Sequence, residues 1–204
     1  MDWYQIQNIE KVDSPSLIVY PERVNENIDR FIKMAGSADN VRPHVKTNKM
    51  AEVCSLMMLA GINKFKCATI AEAEMLGMIK APDVLIAHQP VGPKQERLLK
   101  LVTAFPDTHF TCIIDNFSTA KELSELFTAN GQRIQAYIDL NIGMNRSGII
   151  PENALQLFTV LPEKNNKLRG IVIQPKGLEK AVPLPSFVDT VTLFAFTLLI
   201  KILP

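Results

Sequence analysis

Cysteine is scarce. Cys54, Cys67 and Cys112 are the only three in 204 residues, and no two of them lie at a short spacing. That excludes a disulfide framework and a zinc knuckle, both of which need paired or clustered thiols, and it fits a reducing, cytoplasmic compartment. Charge of one sign is lacking too: 22 Lys and Arg stand against 21 Asp and Glu, a net charge of +1. No basic block is present to neutralise a phosphate backbone, so nucleic acid is excluded as a partner. The polar, acidic start Met1-Asp2-Trp3-Tyr4-Gln5 has neither the basic nor the apolar region of a secretory signal. Long hydrophobic runs are missing as well. The most apolar stretch, Phe187 to Leu203, is broken by Asp189 and Lys201 and falls short of the roughly 20 residues of a membrane span, which argues against a membrane role.

What is present is a regular alternation of short β-rich apolar runs with amphipathic stretches of helical period, the pattern of an α/β protein with a parallel sheet. Leu17-Ile18-Val19-Tyr20 reads as a strand, and Pro21 opens a helix through Met34 with Val24, Ile28, Phe31 and Ile32 at core spacing. Val41 to Thr47 reads as the next strand. The helix after it turns Val53, Leu56, Met57 and Ala60 inward and ends at Gly61, where a left-handed cap is easiest for a residue without a Cβ. Phe65 to Thr69 leads to a helix from Ala71 to Ile79, with Thr69 as N-cap and Glu72 three residues on, as in a capping box. Asp83 to Gln89 leads to Lys94 to Phe105, His109 to Ile114 to Ser118 to Ala129, and Ile134 to Leu140 to Asn153 to Val160. Leu168 to Ile173 is a last clear strand. Leaving Leu17 to Tyr20 aside, the count is six strands and five intervening helices. A closed β/α barrel needs eight of each in about 250 residues. The expected fold class is therefore α/β, an incomplete (β/α)8 TIM-barrel type with six barrel strands.

The chain changes character after Ile173. Gln174 to Ser186 carries Pro175, Pro183 and Pro185 without helical or strand period and reads as a linker. Phe187 to Leu203 reads as an apolar tail that covers the open barrel edge or is poorly ordered. Residues 1–173 are thus expected to form a partial barrel, and residues 174–204 a divergent linker and tail.

Chemistry centres on Lys46, at the end of Val41-Arg42-Pro43-His44-Val45-Lys46-Thr47. Barrel function comes from the C-terminal ends of strands. A lysine that forms a Schiff base must lose its proton readily and project from a rigid element into a cleft. The plain alternative makes Lys46 and Lys49 solvated residues of a strand-to-helix turn. Arg146 follows a strand ending in Asp139-Leu140-Asn141-Ile142-Gly143; it either reaches into the barrel mouth or pairs with Asp139 in a surface loop. His44 either faces the barrel mouth or simply packs. His88 and Gln89 end the third barrel strand and point at the same mouth, whereas His109 begins a strand at the opposite end and reads as structural. No group of ligands has metal spacing, so no metal site is expected.

Arg42-Pro43-His44-Val45-Lys46-Thr47-Asn48-Lys49 resembles the cofactor-lysine motif of the D-threonine aldolase and D-serine dehydratase family, which shares the alanine-racemase type of pyridoxal-phosphate barrel. Tyr137-Ile138-Asp139-Leu140-Asn141-Ile142-Gly143-Met144-Asn145-Arg146-Ser147-Gly148-Ile149 resembles the family segment that brings an arginine to the phenolic oxygen of the cofactor. Phe65 to Glu74 and Asp83 to Pro93 also read like the family, so the resemblance runs from Asp13 to Ile171. Two motifs one hundred positions apart are far more specific than either alone.

The resemblance implies pyridoxal 5'-phosphate as cofactor, Lys46 as its catalytic lysine, Arg146 as a ring contact, and His44, Asn48 and Gln89 as further cofactor-site residues. Asn48 departs from the histidine usual in the family. Alanine racemases carry asparagine there, so the departure bears on reaction specificity rather than on the cofactor. The implied activity is a lyase acting on D-β-hydroxy amino acids, by aldol cleavage or dehydration. The family's C-terminal β domain, which supplies ligands for a divalent metal, has no counterpart after Ile173, so this chain is expected to be a truncated form with little activity. The alternatives are a non-catalytic pyridoxal-phosphate homeostasis barrel, an inactive fragment, and an amino-acid racemase. Family members look like dimers with sites between one barrel and the partner's β domain, which leaves a homodimer open here.

Overall fold

A computed structural model describes residues 4–160 and the strands 168–175, 188–194 and 197–202. Its element order is α1 (Pro21–Ala35), α2 (Ala51–Leu59), β1 (Lys64–Cys67), α3 (Ile70–Met78), β2 (Asp83–Ile86), α4 (Pro93–Ala104), β3 (His109–Ile114), α5 (Phe117–Ala129), β4 (Gln135–Ile142), α6 (Pro151–Val160), β5 (Leu168–Pro175), β6 (Val188–Phe194) and β7 (Thr197–Ile202). Strands β1 to β5 pair in chain order and all in parallel, with a helix in each crossover. This is the α/β barrel-type wall anticipated from the alternation, and its helix positions agree with the periodicity to within a few residues.

Local chemistry accounts for the elements. Pro21 sits in the first turn of α1, where its fixed φ suits the helix and its missing N–H costs nothing. Ile28 is buried, and Val24, Phe31 and Ile32 pack beside it. In α3 the Thr69 hydroxyl accepts from the Glu72 N–H at 3.1 Å while the Glu72 carboxylate accepts from the Ala68 N–H at 2.7 Å, so the first orphan donors are satisfied reciprocally. Gly61 has φ +91 just past the end of α2.

Strands β2, β3 and β4 are buried on both faces along most of their length, which is why those runs read as nearly continuous apolar sequence, whereas β1 alternates partly buried lysines with buried Phe65 and Cys67. One face packs Phe65, Cys67, Val84, Ile86, Phe110, Cys112, Ile114, Ile138 and Leu140 into the main core under the helices. The other face brings Leu85, Ile113 and Tyr137 together. Lys66 is in register with Leu85, and Leu85 with Thr111, so the same inner face carries Lys66, Thr111 and, by alternation, Asp139.

Two expected strands differ. Leu17 to Tyr20 has no ladder partner among the described residues, and Leu17 is 76% exposed; a β-rich run becomes a strand only where another backbone lies beside it. Val41 to Thr47 makes a single bridge, His44 to Lys66, and then turns at Val45–Thr47 as a short 3-10 helix. Pro43 has no N–H to give, so the ladder does not extend beyond this bridge, in which the Lys66 N–H donates to the Pro43 carbonyl at 2.9 Å.

At the other end, β7 lies antiparallel to β5 and pairs with β6. The stretch read as an apolar tail therefore supplies two strands. Of the expected linker, Gln174 and Pro175 belong to β5, and residues 176–186 lie outside the described residues. Among the described residues no helix is long and apolar enough to cross a membrane.

Candidate functional site

The C-terminal ends of the parallel strands surround a cavity of about 570 Å³ lined by His44, Lys46, Lys66, Ala68, Ala87, His88, Gln89, Val91, Asp115, Arg146 and Ser147. Four of the five residues singled out in sequence, Lys46, Arg146, His44 and Gln89, converge on it, and His88 joins them. Asn48 does not line it: its side-chain oxygen accepts from the Met50 N–H at 3.3 Å and shapes the turn into α2.

The segment that carries Lys46 is held from below. Arg42 is buried, and its Nη1 donates to the Asp83 carboxylate at 2.6 Å and to the Phe65 carbonyl at 3.0 Å. Asp83 opens β2, so this pair lies at the end of the strands opposite the cavity. It replaces the ladder that Pro43 denies the segment. Lys46 then projects from the first turn of the short 3-10 helix, its N–H donating to His44 Nδ1 at 3.3 Å. Because Nδ1 accepts, the His44 ring carries its proton on Nε2. Burial, reinforced by the Lys66 and Lys46 charges and opposed by Glu72, pushes His44 down to about 4. The ring is therefore neutral at neutral pH.

The opposite wall is a hydrogen-bonded lattice around the loop that carries Arg146. Ser147 Oγ donates to the Asp139 carboxylate at 2.9 Å, and the Gly148 N–H donates to Asp115 Oδ2 at 3.1 Å. Gln89 Nε2 spans the two acids, 2.6 Å from Asp115 and 3.4 Å from Asp139. The Ile149 N–H donates to the Asp139 carbonyl at 2.8 Å, and the Asn141 N–H to the Ile149 carbonyl at 2.9 Å. The chain thus folds back on β4 immediately after Arg146. Gly148 is required there. Its φ is +98, and a Cβ would lie 2.6 Å from the Asn141 nitrogen and 2.8 Å from the Leu140 carbonyl carbon.

Asp139 corrects one alternative. It lies not in a surface loop but fully buried on the inner face of β4. Lys66 is the residue that sequence reasoning passed over. The run Lys64-Phe65-Lys66-Cys67 alternates, and its partly buried positions are the two lysines. A charge at an inward position of a barrel strand was the available signal. Burial drives Lys66 down to about 8; the Asp139 charge resists this, while Lys46, Arg42 and Arg146 add to it. Among the described residues no group of three or more His, Cys, Asp or Glu gathers as a metal site would.

An amine on an exposed turn, a second amine on the wall, a guanidinium on a pinned loop and a neutral imidazole make a cavity suited to an anionic carbonyl compound. The chain is 25% identical over 165 residues to D-threo-3-hydroxyaspartate dehydratase of Delftia sp. (strain HT23), covering 79% of this chain and 43% of that protein. It is 24% identical over 164 residues to D-threonine aldolase of Arthrobacter sp., covering 80% and 42%. The crystal structure of D-threonine aldolase from Filomicrobium marinum superposes with a TM-score of 0.70 at 28% identity, over 79% of this chain and 43% of that one. The chain spans less than half the length of these relatives. Residues 19–175 match the model of the alanine racemase N-terminal domain, and the chain belongs to that family.

Proposed function

We propose that this chain supplies the cofactor-lysine half of a pyridoxal-phosphate-dependent lyase acting on D-β-hydroxy amino acids, as the D-threonine aldolase and D-threo-3-hydroxyaspartate dehydratase names of its relatives suggest. One observation carries the reading: Lys46 and Arg146, one hundred positions apart in sequence, line a single cavity at the C-terminal end of a parallel barrel wall.

The residues present fit the cofactor's reactive end. The cavity volume is within the range of small-molecule sites, and Lys46 presents an amine to it from a turn fixed by His44. Lys46 would hold the cofactor covalently and, once displaced by substrate, give or take the proton at the substrate Cα. Arg146, always charged, would donate to the phenolic oxygen from a loop that Asp139 and Asp115 hold in place. Neutral His44 would offer its Nε2–H toward the ring without adding charge. When bound, pyridoxal phosphate supplies the electron sink for cleavage next to Cα. The 204 residues alone are expected to turn over little substrate, since they span under half of the relatives' length.

The test is direct. The purified chain is mixed with pyridoxal phosphate, the visible absorbance of the lysine-bound cofactor is recorded, and the adduct is fixed with borohydride and mapped by mass spectrometry. Lys46 should carry label. A label absent from Lys46 in the wild-type chain would refute the reading. D-threonine and D-serine with added divalent metal provide the activity assay, in which only slow turnover is expected.

A further inference from the structure

Two amines face the cavity, and the reading above uses one. We propose that Lys66 is a second aldehyde-reactive amine of this site, forming a reversible Schiff base with small aldehydes, pyridoxal phosphate among them. The inference rests on the cofactor reading only for the identity of the aldehyde.

The placement is specific. Lys66 lies on the inner face of β1, tied on one side to His44 and Pro43 and on the other in register with Leu85 of β2. Its backbone is thus held between two neighbours, whereas Lys46 stands on a short exposed turn. Both amines line the same cavity, together with Arg146, which attracts an anionic carbonyl compound such as a phosphorylated or carboxylated aldehyde.

The environment favours reaction. An amine adds to a carbonyl only in its neutral form, and an ordinary exposed lysine, with a pKa near 10.4, is about 0.4% neutral at pH 8. Lys66, brought down to about 8 first by burial, is half neutral there. The advantage is on the order of a hundredfold per residue over an exposed lysine. Asp139, fully buried beneath it, favours positive charge at the Lys66 nitrogen. A protonated Schiff base carries that same charge at the same atom, so the product is supported as the ammonium is. The step balances without an oxidant or reductant. The Nζ lone pair adds to the carbonyl carbon, the two amine hydrogens leave with the carbonyl oxygen as water, and the C=N bond replaces C=O.

The decisive experiment uses Lys46→Ala with pyridoxal phosphate as probe, borohydride trapping across pH 6.5 to 9.5, and site-resolved peptide mapping. The expected result is label concentrated on Lys66, at least about tenfold above any exposed lysine, with a midpoint near pH 8. Label absent from Lys66, or no greater there than on exposed lysines, overturns the inference. The reading of Lys46 fails separately, by loss of label from Lys46 in the wild-type chain.

Discussion

Arg42 and Lys66 are both cations withdrawn from water next to β1, and the fold treats them in opposite ways. Arg42, at the N-terminal end of the strands, has one carboxylate at 2.6 Å and a carbonyl at 3.0 Å. Lys66, on the inner face toward the C-terminal end, meets Asp139 but also the charges of Lys46, Arg42 and Arg146. The first arrangement neutralises a buried charge and fills the space around it. The second leaves cations crowded around a cavity. In a β/α wall the end that is sealed by one-to-one pairing serves stability, and the end where like charges are kept together serves a ligand.

The largest effect that can break this comparison is at the sealed end. Removing one partner of a buried ion pair leaves the other charge without compensation, so Arg42→Ala should lower stability by about 3–5 kcal/mol in denaturant titration. At low temperature the molecules that remain folded should still take up pyridoxal phosphate on Lys46. If uptake is lost while circular dichroism reports a full complement of structure, Arg42 belongs to the site and the division between the two ends falls.

Next in size is the loop that aims Arg146. Gly148→Ala puts a methyl group 2.6 Å from the Asn141 nitrogen on a backbone with φ +98. Left-handed strain alone costs of order 1–3 kcal/mol, and the contact can be relieved only by moving the loop away from β4. The thermal midpoint should fall, and affinity for pyridoxal phosphate should fall by more than it does for a surface Gly→Ala change such as Gly131→Ala, whose Cβ would meet nothing within 4 Å. Equal losses in the two variants would mean that the loop's position does not matter to the site.

Much of this was legible in the sequence, and the failures are instructive. Helix positions follow from periodicity because α1 and α3 bury one face and carry their own start signals, Pro21 and Thr69. The convergence of Lys46 and Arg146 follows from their places at the C-terminal ends of β-rich runs of one parallel wall. Segment 41–47 was misjudged as a strand because a β-rich run looks the same with or without a partner, and Pro43 was a warning in the chain itself. Leu17 to Tyr20 failed for the same reason. Asp115 and Asp139 were invisible as a pair, since only the parallel register places Gln89 between them. Lys66 was hidden by its neighbours: Phe65 and Cys67 mark a strand, and the eye follows the apolar residues rather than the charge between them.

The smallest effect is also the sharpest test of the two ends, because it should have the opposite sign. Lys66 has a folded pKa of about 8, below that of an exposed lysine near 10.4 in the unfolded chain. Over that interval the unfolded state binds more protons than the folded one, so stability rises as pH climbs from 8 to 10.4. Below pH 8 the full cost of holding the ammonium away from water is borne by the fold. Lys66→Met keeps the length of the side chain and removes that cost. It should raise the thermal midpoint by a few degrees at pH 7, and the gap from wild type should close as pH approaches 10. Arg42 has no such window, since its guanidinium stays charged throughout. A Lys66→Met variant less stable than wild type at pH 7 would mean that Asp139 compensates Lys66 as fully as Asp83 does Arg42, and the two ends would then be alike.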